Sequence, residues 1–262
     1  MQNIAVRSLS WSTVTAFILC PDKVWLDKIM HRPKHGVASQ LVMGTAVHAA
    51  AAAWFLSLKA NRPIDINVCE NIICNRVYAE TDIIYPAGED QESLIVTARG
   101  LIATLIDNGP PIGTIVGVEV PIRFKLTHDL WIVGQADLLT RNANGRLVVT
   151  DLKTSARLYA DDDCRKVAEQ TKLYSCGFDE PVDTQAMVLI KTKTPKMQTF
   201  DLRVFDVDLY ELRDKILGVR DCLEAGIHWK QRSWACATCQ FADECRKSHE
   251  VVDAVVPYSL AA

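Results

Sequence analysis

The order of elements along the chain predicts an α/β fold, a central mixed β-sheet flanked by helices. Two observations carry this expectation. Helix-like periodicity fills the first third, and from Thr114 it gives way to three strand-like runs rich in Val, Ile, Leu and Thr, then a helix, two strands and a last helix. Strands that follow one another through short turns form hairpins, and hairpins exclude an all-parallel sheet.

The helical region starts at Ser10 or Ser12, breaks at Cys20-Pro21, and continues in amphipathic stretches near 22–30, 39–60, 64–82 and 90–107. Pro110-Pro111 and Gly113 close it. Strands are expected at 114–125, 130–141 and 146–153, with Asn142-Ala143-Asn144-Gly145 as the turn between the second and third. A helix near 163–177 precedes strands near 184–193 and 198–206, separated by Thr194-Pro195, and a helix near 207–226 follows. With no repeat or linker in view, the expectation is a single domain over 1–262. It divides into a helical N-terminal region (1–110), a sheet core (111–206) and a C-terminal helix with a cysteine segment (207–262).

The chain has 262 residues, 49% of them hydrophobic, enough to bury a real core. Its net charge of -3 and pI near 6.1 exclude a broadly basic surface, so contact with nucleic acid must come from a local groove or through a partner. The apolar run Val14–Leu19 is too short to span a membrane, and Ala46–Leu58, interrupted by His48, suits a core helix. The expectation is a cytoplasmic protein with no membrane contact. No Gly-x-x-x-x-Gly-Lys-[Ser/Thr] occurs, so no ATP chemistry is expected.

The third strand ends in Val149-Thr150-Asp151-Leu152-Lys153-Thr154, and period-two alternation puts Asp151 and Lys153 on one face. The hairpin brings Asp137, from Gly134-Gln135-Ala136-Asp137, beside that pair. Two acids on adjacent strands suit a divalent cation, which phosphodiester hydrolysis needs to neutralise charge and activate water, and Lys153 would position that water. An acid beside a lysine on a strand is also common as a plain solvated pair. Glu119, on the preceding strand, stays open between a further acid of the site and an ordinary half-exposed strand residue.

The chain has nine cysteines, which in a reducing compartment point to metal rather than disulfides. Cys69, Cys74, Cys164, Cys176 and Cys222 fall singly in helix-like patterns and are assigned no chemistry. Cys236, Cys239 and Cys245 lie within ten residues, and a metal there needs a fourth ligand. A zinc site completed by a fourth cysteine or by His249, a redox Cys-x-x-Cys and an iron-sulfur cluster are the readings.

The motifs, in this order, resemble those of RecB- and AddB-type nuclease domains and CRISPR-associated iron-sulfur nucleases, within the PD-(D/E)XK superfamily. They are Ser8-Leu9-Ser10 leading to Cys20-Pro21, Gly44-Thr45-Ala46-Val47-His48, Gly134 to Asp137, Asp151 to Lys153, and Gln170 to Tyr174. The resemblance implies a restriction-endonuclease-like core whose N-terminal region and C-terminal segment are joined by a [4Fe-4S] cluster on Cys20, Cys236, Cys239 and Cys245. It also implies a Mn2+ or Mg2+ ion held by His48, Asp137, Asp151 and the carbonyl of Leu152, with His48, Asp137, Asp151 and Lys153 as the catalytic set. Gln170 and Tyr174, four apart on one helix face, would contact a DNA phosphate or brace Lys153. The implied activity is that of a DNA exonuclease on single strands or ends, in recombination, repair or CRISPR-type processing with protein partners. Lys191, Lys193 and Lys196 would form a basic wall or only a solvated turn. The competing expectation is a non-catalytic iron-sulfur scaffold subunit that binds DNA.

Overall fold

The computed structural model describes residues 4–62, 65–110 and 112–247. Strand β1 (Ser8–Ser10) leads directly into helix α1 (Trp11–Leu19), and the Ser10 hydroxyl caps that helix by accepting from the Thr13 N–H at 3.2 Å. The expected break at Cys20-Pro21 is present. Beyond it the stretch expected as one helix is a short α2 (Pro21–Val24) that widens into a π-helical turn over Trp25–Ile29.

Strand β2 (Val37–Ala38) precedes helix α3 (Ser39–Lys59), and helix α4 (Ile66–Tyr78) starts at the side-chain cap of Asp65. The helix expected to reach residue 82 stops at Tyr78, because the chain then extends into β3 (Ile83–Ile84), parallel to β2. Helix α5 (Gln91–Asn108) opens with a reciprocal cap: Asp90 accepts from the Ser93 N–H at 2.8 Å, and the Ser93 hydroxyl receives the Asp90 N–H at 2.9 Å. Helix α3 is long and apolar enough to cross a membrane by composition alone. Its buried residues, from Val42 through Ala46, Val47 and Ala50 to Trp54 and Phe55, pack instead with α4 and α5 into one core cluster.

Strands β4 (Thr114–Lys125), β5 (Trp131–Arg141) and β6 (Leu147–Ser155) match the three expected runs closely. The turn between β5 and β6 forms as read, with Gly145 at φ +77° and the Asn142 side chain accepting from the Asn144 and Arg146 N–H groups. Helix α6 (Asp161–Ser175) crosses from β6 to β7 (Val182–Ile190), which runs parallel to β6, and β8 (Lys196–Leu202) returns antiparallel. The last two strands end earlier than expected. Thr192 bonds Thr194 within the turn, and Phe205 leaves the sheet to donate its N–H to Asp208, in the first turn of α7 (Asp206–Glu224). A 3-10 turn (Trp234–Thr238) and a short helix α8 (Ala242–Lys247) end the described chain. His249, the alternative zinc ligand, lies outside the described residues.

The sheet is mixed, as expected, and β5 is its hub. Strand β4 follows β5 along its whole length, so β1 and β6 must share the other edge, β1 opposite Trp131–Val133 and β6 opposite Leu138–Arg141. Between them, Gly134–Asp137 face the point where β5 and β6 part. A core cluster under α3, α4 and α5 covers one side of the sheet, and a second cluster with α1, α6 and α7 covers the other.

Candidate active site

The parting of β5 and β6 opens a cleft of about 830 Å³ against α3. Gly44, Ala49, Ala52 and Ala53 form the helix wall, and His48, Glu119, Gln135, Asp137, Lys153 and Arg76 supply the polar groups. A Cβ at Gly44 would meet only the Thr154 hydroxyl, at 4.0 Å, so helix and sheet stand apart here rather than closing together.

Asp137 anchors the site. Its Oδ2 accepts the Leu152 N–H at 2.7 Å, a main-chain group that the separating strands leave free, and its Oδ1 lies 3.1 Å from His48 Nδ1. Burial opposes the charged imidazole of His48, but the Asp137 hydrogen bond and charge outweigh it, so the His48 pKa is raised. Glu119, left open by the sequence, completes a trio. Ligand atoms of His48, Glu119 and Asp137 all lie within 4.8 Å of one another. Glu119 also has φ +53°, a left-handed conformation that costs a non-glycine residue roughly 1 kcal/mol or more. Burial raises its carboxyl pKa, and the charge of Asp137 adds to the shift.

Asp151 and Lys153 meet as the strand alternation predicts. Lys153 Nζ lies 3.0 Å from Asp151 Oδ1 and 2.9 Å from Oδ2, and it donates to Gln170 Oε1 at 2.9 Å. Asp151 is 3% exposed, and its Oδ2 has no well-aligned hydrogen-bond donor. Burial pushes its pKa up to about 6, and the charge of Asp137 adds to this against the pull of Lys153. Burial disfavours the Lys153 ammonium, yet the adjacent Asp151 carboxylate keeps its pKa above the ordinary lysine value.

The expected metal set is therefore divided in this structure. His48 and Asp137 converge with Glu119, whereas Asp151 sits behind them, turned to Lys153. Three oxygen- or nitrogen-bearing groups within reach of one ion, with a crowded and under-bonded carboxylate beside them, fit a divalent cation. The pair expected to position DNA is divided too. Gln170 braces Lys153. Tyr174 is 5% exposed and packs on Gly134, where a Cβ would fall 2.3 Å from the tyrosine hydroxyl, so its ring is a packing element of the sheet.

The four cysteines expected to bind a cluster are in no disulfide with one another and lie where the segment 20–36 meets the segment 228–245. Cys20 closes α1, Cys236 and Cys239 lie in and after the 3-10 turn, and Cys245 is in α8. The ends are tied together by Asp22 N–H to the Trp229 carbonyl at 3.1 Å, His35 N–H to the Gln240 carbonyl at 2.9 Å, and a Trp25–His228 stack at 4.3 Å. Burial pushes the Cys245 thiol pKa up, and the neighbouring Cys20 and Cys239 thiols add to the shift.

The profile of the PD-(D/E)XK nuclease superfamily matches residues 8–246. No curated protein matches the chain. Among solved structures, a Eubacterium rectale protein provisionally assigned as an exonuclease aligns with a TM-score of 0.57 at 12% identity, over 97% of this chain and 91% of its own. The structure of SSO0001 aligns at 17% identity over 89% of this chain and 96% of its own, with a TM-score of only 0.35. The first likeness is one of fold, and its sheet and helices span nearly the whole chain. With the profile running from β1 to α8 through every residue of the cleft, the chain belongs to the PD-(D/E)XK nuclease superfamily.

Proposed function

We propose that the chain is a divalent-metal-dependent deoxyribonuclease, an exonuclease that hydrolyses single-stranded DNA or DNA ends. The observation that carries this reading is the convergence of His48, Glu119 and Asp137 beside an ammonium that Asp151 and Gln170 hold in place. Mn2+ or Mg2+ is the proposed ion, with the imidazole favouring Mn2+, and Asp151 and the Leu152 carbonyl complete the proposed ligand set. When bound, such an ion neutralises phosphate charge and lowers the pKa of water.

The chain's own groups supply the rest. Lys153 Nζ has three donors, and Asp151 and Gln170 take two. The third is left for the attacking water or a phosphate oxygen. Asp137, fixed by the Leu152 N–H, cannot swing away from His48 without leaving that main-chain group unpaired. The small-residue wall of α3 leaves room for a strand to reach these atoms, and Arg76, on α4, lines the same cleft.

The RecB and AddB type is the proposed subgroup, with a [4Fe-4S] cluster on Cys20, Cys236, Cys239 and Cys245 fastening the chain ends. The contacts that hold residues 22–36 against residues 228–245 support this. The proposed setting is recombination, repair or CRISPR-type DNA processing, in the cytoplasm, with protein partners that deliver DNA and no ATP chemistry in this chain.

The test is time-resolved cleavage of end-labelled single- and double-stranded DNA with Mn2+, Mg2+ or chelator, wild type beside Lys153→Ala. The expected result is metal-dependent cleavage that the variant loses, with a product ladder shortening from an end. Wild type that cleaves nothing with any metal while its cluster absorbance is intact would overturn the reading.

A further inference from the structure

We propose that the face of β4 and β5 leading away from the cleft is a binding track for a single nucleic-acid strand, in which Arg123 and Lys125 contact phosphates and Trp131 meets the bases. The proposal rests on the nuclease reading of the cleft and names where the substrate runs once it leaves it.

The track follows from the strand register. Val118 pairs with Leu138 and Val120 with Ala136, so Glu119 and Asp137 lie at one level between them. Beyond that level, Pro121 pairs with Gln135, Arg123 with Val133 and Lys125 with Trp131. Ile122, Ile132 and Ala136 are buried in the core on the other side, so these three pairs share the face turned away from it. Gln135 is exposed and lines the cleft, which makes the face continuous with the candidate metal site. The six residue steps from Asp137 to Trp131 cover roughly 20 Å at the rise of a strand, a separation that a few extended nucleotides span. On the far edge, β1 extends the same surface, with Ser8 beside Trp131 and Ser10 beside Val133.

The side chains carry the chemistry. The Arg123 guanidinium lies 4.4 Å and the Lys125 ammonium 5.3 Å from the centre of the Trp131 ring. Neither forms an ion pair with a carboxylate among the described residues, and Asp129, in the loop that joins the two strands, is engaged by Thr127 and Arg220. In a chain of net charge -3, two cations at one indole, neither paired with an acid among the described residues, form a local positive site. A single strand offers both groups that such a site recognises, phosphates and unpaired base faces, whereas a duplex keeps its bases stacked inside.

The experiment uses the full chain in chelator, so that nothing is cleaved, and a fluorescein-labelled oligothymidylate whose anisotropy is read across a salt series. Arg123→Gln with Lys125→Gln is expected to weaken binding at least about tenfold and to lower the slope of log affinity against log salt by about 1.4, roughly 0.7 per lost phosphate contact. Lys125→Gln alone, the variant to use if the pair melts early, is expected to lower the slope by about half as much. Affinity and slope equal to wild type in the folded variants would overturn the track, and an equal loss on blunt duplex would overturn the single strand as its occupant. Cleavage by wild type in Mn2+ is scored separately. Cleavage with unchanged variant binding sinks the track alone, and weakened variant binding without any wild-type cleavage sinks the nuclease reading alone.

Discussion

Tyr174 lies so close to Gly134 that a Cβ on the glycine would fall 2.3 Å from the tyrosine hydroxyl and 2.5 Å from its ring carbon. Burial raises the pKa of that hydroxyl, and the Gln135 main chain, on the stretch of β5 between β1 and β6, offsets part of the rise. Two motifs 40 residues apart are thereby one packing unit that sets where β5 carries Asp137. Gly134→Ala is expected to destabilise the fold by about 1–3 kcal/mol through overpacking. Tyr174→Phe, which loses only the hydroxyl contact, should cost about 1 kcal/mol. Urea denaturation of both variants checks the order, and a Gly134→Ala protein as stable as wild type would refute the contact.

Glu119 holds a left-handed backbone at φ +53° next to His48 and Asp137, a conformation that glycine adopts without strain. Glu119→Gly is expected to leave thermal stability unchanged or raise it by up to about 1 kcal/mol, while Mn2+ affinity falls about tenfold or more. Glu119→Gln keeps the backbone strain and should lose the affinity without the stability gain. Calorimetric titration with Mn2+ beside thermal melts separates the two effects. Unaltered affinity in both variants would remove Glu119 from the ligand set.

Lys153 compensates a carboxylate that is otherwise buried and under-bonded. Lys153→Met strands that charge and is expected to cost about 2 kcal/mol, less than a fully buried pair because the lysine side chain is one-third exposed. Adding Asp151→Asn should recover most of that stability, since both partners are then neutral, yet cleavage should stay absent in both proteins. Denaturation midpoints and end-label cleavage measured on the same samples test this. Recovery of cleavage in the double variant would show that Lys153 acts only by holding the fold.

Much of this was legible in the sequence, for identifiable reasons. Strand alternation alone puts Asp151 and Lys153 on one face, and the hairpin turn at Asn142–Gly145 places Asp137 across from them. Other features depend on contacts that no local pattern encodes. Strand β1 is three residues long, too short to show a period, and its partner lies more than a hundred residues away. Glu119 reads as a half-exposed strand residue until its backbone φ and the approach of α3 are seen. Period two pairs Asp151 with Lys153, but it cannot reveal that the acid is buried behind the lysine. Tyr174 shares a helix face with Gln170, yet one turns to Lys153 and the other into the core.

The proposed cysteine site would draw its ligands from both ends of the chain, and this sets how its substitutions combine. A centre shared by Cys20 and the Cys236–Cys245 segment would close a loop of more than two hundred residues, worth roughly 5 kcal/mol in the chain-entropy model. The ligands of one centre act as a unit, so their substitutions should not add. Cys20→Ser and Cys245→Ser are each expected to remove iron and visible absorbance and to lower the melting temperature by several degrees, and the double variant should be no worse than either alone. Cys176→Ser, at an exposed position in the helix-to-strand connection, serves as the control that keeps both iron and stability. Iron retained in Cys20→Ser would detach the N-terminal region from the site and leave the C-terminal thiols as a separate centre. Zinc in place of iron in the purified wild type would keep the staple but change its chemistry.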